Sequence, residues 1–241
     1  MKRILASVAA LALATSVSHA QIIRLGPGSF TPLATRITFS EFALNTINPV
    51  YNFNIPDLGG ATTVSFAGAF VGQTVSGGSP RTLTGNPTGP LTLNTTVQTR
   101  IVGDGANPTS PVLSGDPTFN GPISVLFSRD VGAVGLDGGF FDAIGGTSIR
   151  AFRRDGTTIG TVTNAALGIE FFGLASTSGE DIAGISFFIT GNEPAGFAID
   201  NLTFGSRRVV NNVVPEPSTY ALMATGLVGM AGMARRRRRQ V

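Results

Sequence analysis

From residue 35 to residue 204 the chain holds no sustained helical period. Short runs alternate apolar and polar positions and are cut by Gly, Pro, Asn and Asp. A chain interrupted this often cannot build amphipathic helices; it can pair short strands. Strands are expected over 35–42, 50–55, 62–71, 91–102, 123–127, 131–141, 147–154, 157–163, 168–174, 182–190 and 197–204. That spacing predicts an all-β fold, an antiparallel β-sandwich or barrel. Gly and Pro, 32 and 14 of 241 residues, make up about a fifth of the chain. That is below the proportion typical of disorder, and 17 phenylalanines supply a core. The clearest hairpin is IRAFRR-DG-TTIGTV, where Asp155-Gly156 is expected to form a type I′ turn. Small residues in 62–71 and 131–141 fit close sheet packing or bulges. Two loops, 76–90 and 103–122, are rich in Gly, Pro, Ser, Thr and Asn, with Phe119 the one aromatic, and are expected to be mobile. Residues 21–204 read as one domain and 205–214 as a linker.

Both ends carry address labels. Lys2 and Arg3 precede an apolar stretch from 4 to 14, and Ser18-His19-Ala20 supplies small residues before a cut. This is a signal peptide over 1–20, with signal peptidase expected to cleave between Ala20 and Gln21. At the other end, Pro215-Glu216-Pro217 is followed by an uncharged run over 218–234 and the block Arg235, Arg236, Arg237, Arg238 and Arg239. As a helix at ~1.5 Å per residue that run spans about 26 Å, a short but admissible transmembrane helix. The arginines hold their end in the cytoplasm, so the body faces outward. On physical grounds a plain membrane anchor and a processed signal both remain open.

The order Pro-Glu-Pro, apolar run, arginine block resembles the PEP-CTERM sorting signal of Gram-negative bacteria. The resemblance implies recognition by an exosortase, a membrane-embedded cysteine protease-transpeptidase. It implies transient anchoring in the inner membrane, loss of the span, and a final place at the cell surface or in the exopolysaccharide matrix.

The body's own chemistry is narrow. The chain has no cysteine, and its one histidine, His19, and one lysine, Lys2, lie in the leader. A Ser-His-Asp triad and any His- or Cys-based zinc site are excluded from the exported part. The formal charge of +3 misleads: of 17 basic residues two sit in the leader and five in the terminal block. The remaining ten face 14 acidic groups, so the body is mildly acidic and no nucleic-acid partner is expected.

Four body stretches, ITFSEFALNTINPVYNF, VGLDGGFFD, IRAFRRDGTTIGTV and FAIDNLTFG, are similar to domains often carried ahead of this sorting tail. That similarity implies a jelly-roll-like sandwich, related in outline to carbohydrate-binding modules. In FAIDNLTFG the apolar phase slips at Asp200-Asn201, as a β-bulge would make it. The resemblance implies a structural Ca²⁺ held by Glu41 and Asp200; the alternative is a bulge whose carboxylate bonds backbone amides. No other cofactor is expected.

Asp137 and Asp142 are a candidate acid–base pair for glycoside cleavage, or else turn and edge residues; Glu170, Glu180 and Asp181 have no better claim. Tyr51 and the phenylalanines are candidates to stack on sugars, but their alternation fits core positions. Arg150, Arg153 and Arg154 read either as an edge-protecting cluster or as contacts to an acidic polysaccharide. The expectation is a non-enzymatic exported protein with a structural or binding role in the extracellular polymer. The alternative is a carbohydrate-binding module.

Overall fold

The structure is a computed structural model, and it describes residues 22–104, 111–194 and 196–211. The first nine strands are β1 (Ile22–Leu25), β2 (Thr35–Ile37), β3 (Val50–Ile55), β4 (Gly60–Ala67), β5 (Ala69–Phe70), β6 (Thr74–Ser76), β7 (Thr82–Thr84), β8 (Leu93–Asn94) and β9 (Thr99–Gly103). The remaining eight are β10 (Pro111–Gly115), β11 (Ile123–Val131), β12 (Ala133–Phe141), β13 (Thr147–Phe152), β14 (Thr158–Thr163), β15 (Gly168–Ser176), β16 (Ile182–Ile189) and β17 (Ala198–Gly205). Among the described residues the helical elements are short 3-10 turns, and none is long and apolar enough to cross a membrane. The leader and the tail, with the two helices expected there, lie outside the described residues.

Two antiparallel sheets form a β-sandwich. The first has the order β1-β15-β12-β17-β10-β9, with β2 also on β17; the second has the order β14-β13-β16-β11-β4-β3. From β11 onward the chain crosses from one sheet to the other at every step except the β13–β14 hairpin. Alternation decides which side chains meet between the sheets. On β12, Val134 and Leu136 enter the shared core, while Ala133 points to the other face. Phenylalanines from the two sheets meet edge-on, Phe172 to Phe187 at 5.3 Å and Phe187 to Phe197 at 4.9 Å.

The outer face of the second sheet carries a cover. Residues 69–97 form two small two-stranded sheets, β5 with β8 and, between them in the chain, the β6–β7 hairpin, and bury Phe70, Leu83 and Leu91 against Phe152 and Phe188. The loop expected to be mobile at 76–90 is therefore part of this packed layer. Its Gly, Pro and Thr residues make turns, and Leu83 and Leu91 anchor it. The 103–122 loop also contains a strand: β10 sits between β17 and β9, with Leu113 fully buried.

Other expected boundaries shift for local reasons. The strand expected at 35–42 ends at Ile37, because Phe39 turns back into the core with φ 57°. The expected strands at 62–71 and 91–102 each divide in two, where the chain leaves the sheet for the cover. At the Asp155-Gly156 turn only Gly156 has positive φ, 85°. The Gly156 N–H bonds the Arg153 carbonyl at 3.0 Å and the Arg153 N–H bonds the Thr157 carbonyl at 2.9 Å. This is a three-residue loop with glycine in the left-handed position, not the type I′ turn.

The linker expected at 205–214 starts later than its composition implies. Residues 206–211 dock on the N-terminal loop: the Thr31 N–H bonds the Val209 carbonyl and the Asn211 N–H bonds the Ser29 carbonyl, each at 2.8 Å. Val209 is buried and Val210 pairs with Phe30.

Candidate functional site

The bulge expected from the phase slip in FAIDNLTFG is present, and it builds the site. Gly135 pairs with Thr203, yet Asp137 pairs with Asp200, so β17 carries one more residue than β12 between those points. That residue is Asn201, in the left-handed region at φ 51°, which asparagine tolerates better than most residues. The extra residue keeps Ile199 and Leu202 in the core and turns Asp200 to the outer face, directly opposite Asp137.

Two carboxylates placed opposite each other repel. Asn201 holds them together. Its side-chain amide donates to Asp137 Oδ2 at 2.9 Å and more weakly to Asp200 Oδ2 at 3.4 Å, and its backbone N–H donates to Asp200 Oδ1 at 2.7 Å. Asp200 is only 4% exposed. Asp104, Val112, Phe140 and Ile169 line the same shallow, open depression. Phe140 is 53% exposed, an aromatic ring beside an acidic floor.

The pairs singled out in the sequence are not the pairs that form. Glu41 accepts from the Thr38 N–H at 3.0 Å and the Thr38 hydroxyl at 2.9 Å, and stands near Tyr51. Asp200 stands with Asp137 instead. The Tyr51 hydroxyl is buried without a well-formed hydrogen bond. Burial first, and then the neighbouring Glu41 charge, push its pKa above the ordinary phenol range. Asp142 lies just beyond the end of β12, past the irregularity between Gly138 and Phe141. Its backbone N–H donates to the buried Glu193 at 2.9 Å.

The remaining candidates serve the fold. Glu170 pairs with Arg24 and accepts the Ala165 and Ala166 N–H groups at 2.8 Å. Glu180 accepts the Arg207 N–H at 2.9 Å. Asp181 pairs with Arg153 at 3.2 Å, Arg154 pairs with Asp130, and Arg150 lies over the Phe188 ring at 4.9 Å. These arginines bind the hairpin to its neighbours. From sequence alone Asp137 and Asp200-Asn201 belong to separate candidates, and Asp104 to none. The phase slip pointed at Asn201; nothing local to either strand indicated their pairing.

The two carboxylates that the resemblance joins, Glu41 and Asp200, each have other neighbours here, Thr38 for Glu41 and Asp137 and Asn201 for Asp200. Among the described residues no three His, Cys, Asp or Glu side chains converge closely enough to hold a metal ion. Ca²⁺ takes six to eight oxygens.

The body is thus an antiparallel sandwich with an open acidic depression, followed by a tail outside the described residues. A PEP-CTERM protein-sorting motif matches residues 213–239 of that tail. The chain therefore carries a sorting signal containing Pro215, Glu216, Pro217 and the arginine block, as its sequence led us to expect. No curated protein matches the chain.

Among solved structures, the enzymatically active domain of tailspike protein 4 from bacteriophage CBA120 is 21% identical, with a TM-score of 0.30. The match covers 46% of this chain and only 18% of that one. The family 11 carbohydrate-binding module from Clostridium thermocellum, in complex with a β-1,3-1,4-mixed-linked tetrasaccharide, is 11% identical. That match covers 71% of this chain and 95% of the other, with a TM-score of 0.28. Likenesses this loose carry no weight on function.

Proposed function

We propose that this chain is an exported, non-enzymatic passenger of a sorting system. Its leader takes it across the inner membrane and its tail stops there. An exosortase then acts near Pro215, Glu216 and Pro217, and the body passes to the cell surface or the exopolysaccharide matrix as a structural or binding component. The observation that carries this reading is the sorting motif at 213–239. The residues left to the exported body agree with it: no histidine, cysteine or lysine follows the leader.

The test is intact mass and location of the chain in its host. Glu216→Ala, or deletion of the arginine block, is expected to leave a heavier, membrane-retained product. Unchanged mass and location in both variants would overturn the reading.

The exposed Phe140 ring beside Asp137 and Asp200 favours a second reading, in which the body is a glycan-binding module of jelly-roll type. The alternation of β10 to β17 between two four-stranded groups supports the jelly-roll description. A ring face flanked by carboxylates suits a sugar, with stacking below and hydroxyl donors to the acids at the side. Binding on a glycan array that Phe140→Ala abolishes would support it; a blank array would remove it.

A further inference from the structure

The described body ends at Asn211, and the sorting signal begins almost at once. Only Asn212, Val213 and Val214 separate Asn211 from Pro215, and the uncharged run starts at Ser218. Seven residue steps span at most about 25 Å when fully extended. A folded body of this size has a radius of gyration of about 16 Å. A tether so short holds the surface around Asn211 within about 25 Å of the bilayer whenever the tail is inserted, so this end of the body meets the membrane before any other.

That surface has a distinct composition. Docking of 206–211 on Ser29 and Thr31 brings Arg207 and Arg208 beside the turn at 31–34. Arg36 lines the same depression as Phe30, Thr31 and Pro32. Arg36, Arg207 and Arg208 enter no ion pair among the described residues, whereas four other arginines do. The carboxylate near this end is Glu180, which accepts the Arg207 N–H. At the tip of the turn Leu33 is 76% exposed, the most exposed large apolar side chain among the described residues. Arg36 Nε donates to the Thr203 hydroxyl and the Arg207 guanidinium to the Ser176 carbonyl, neutral acceptors that leave the positive charge in place. An apolar tip on the same end as guanidinium groups without a carboxylate partner matches the interface of an anionic bilayer, apolar below and phosphate at the rim.

We propose that this end of the sandwich, Leu33 with Arg36, Arg207 and Arg208, docks on anionic phospholipid while the tail is inserted. The docked body then presents the Pro215–Pro217 segment at headgroup level. The proposal rests on the reading that the tail enters the membrane.

The test uses the full chain incorporated by its tail into vesicles. The protein has no cysteine, so a thiol placed by Leu33→Cys takes a single environment-sensitive fluorophore. A second probe at Ile144→Cys is the control. Ile144 is 67% exposed and lies beyond the opposite end of β12 from Gly132, which abuts Arg207. In phosphatidylglycerol–phosphatidylethanolamine vesicles a headgroup spin label should quench the probe at 33 and not the one at 144. In phosphatidylcholine vesicles the difference should vanish. Arg36→Glu and Arg208→Glu should each lower the docked population about fivefold.

Equal quenching at the two positions, or quenching at 33 that ignores lipid charge and both reversals, would overturn the proposal. So would a signal at 33 that depends on the number of chains per vesicle, which would assign the face to a second copy. Failure of the chain to float with the vesicles would instead refute the membrane reading of the tail.

Discussion

The two outer faces of the sandwich handle polar side chains in opposite ways. On the second sheet the face is sealed by residues 69–97, and the polar groups beneath are neutral and mutually bonded. The Ser124 and Ser186 hydroxyls meet at 2.8 Å, and Gln73 Oε1 accepts the Phe70 N–H at 2.9 Å. On the first sheet the cover is partial. Phe30 and Val210 pack over Leu25, Ala133 and Ala175, and beyond them Asp137 and Asp200 adjoin an open depression. Neutral hydroxyls and amides can be buried once they are bonded; a carboxylate pair needs water, a donor or a cation. The sealed face is therefore architecture, while the open one leaves its carboxylates beside solvent.

The largest effect should come from breaking the seal. Phe70 is fully buried and meets Phe152 edge-on at 5.7 Å. Phe70→Ala should cost about 3–4 kcal/mol in urea unfolding, the range for large-to-small changes in a packed site. Limited proteolysis should then cut within 76–90. A cost below about 1 kcal/mol would mean that the cover merely rests on the sheet.

A smaller change, of opposite sign, is expected on the open face. Asp137→Asn removes one of two opposed charges and should raise stability by about 0.5 kcal/mol. Melting with and without chelator sharpens the result. If Ca²⁺ binds between Asp137 and Asp200, the substitution destabilises and chelator lowers the melting temperature of the unaltered chain. If the pair is held by Asn201 alone, chelator has no effect.

The contrast also marks how far the sequence could be read. Alternation along β12 and β17 gave the sandwich and its core, and the slip at Asp200-Asn201 gave the bulge. The tail was legible because its three parts are contiguous. The Asp137–Asp200 pairing was not, since it depends on the register of strands more than sixty residues apart. The cover was missed for a related reason: Leu83 and Leu91 are isolated apolar residues among turn formers, and their partners Phe152 and Phe188 lie far along the chain. Glu41 and Asp200 were joined by resemblance, and the turn after β2 gives Glu41 to Thr38 instead.

The smallest effect concerns a carboxylate on neither face. Asp155 sits on the β13–β14 turn, fully exposed, and accepts the Thr157 hydroxyl at 2.7 Å and the Thr157 N–H at 2.9 Å. The hydroxyl first and the backbone N–H second hold its pKa below the usual carboxylate value of 3.8. Because the folded value is the lower one, its stabilising contribution is present above the unfolded pKa and fades as pH falls through the folded one. Thr157→Val should move the titration midpoint of Asp155, followed by NMR of its carboxyl carbon, up toward the unperturbed value without changing the sandwich. An unmoved midpoint would leave the backbone N–H as the main support. Asp155 therefore measures what local donors do for a carboxylate in full contact with water.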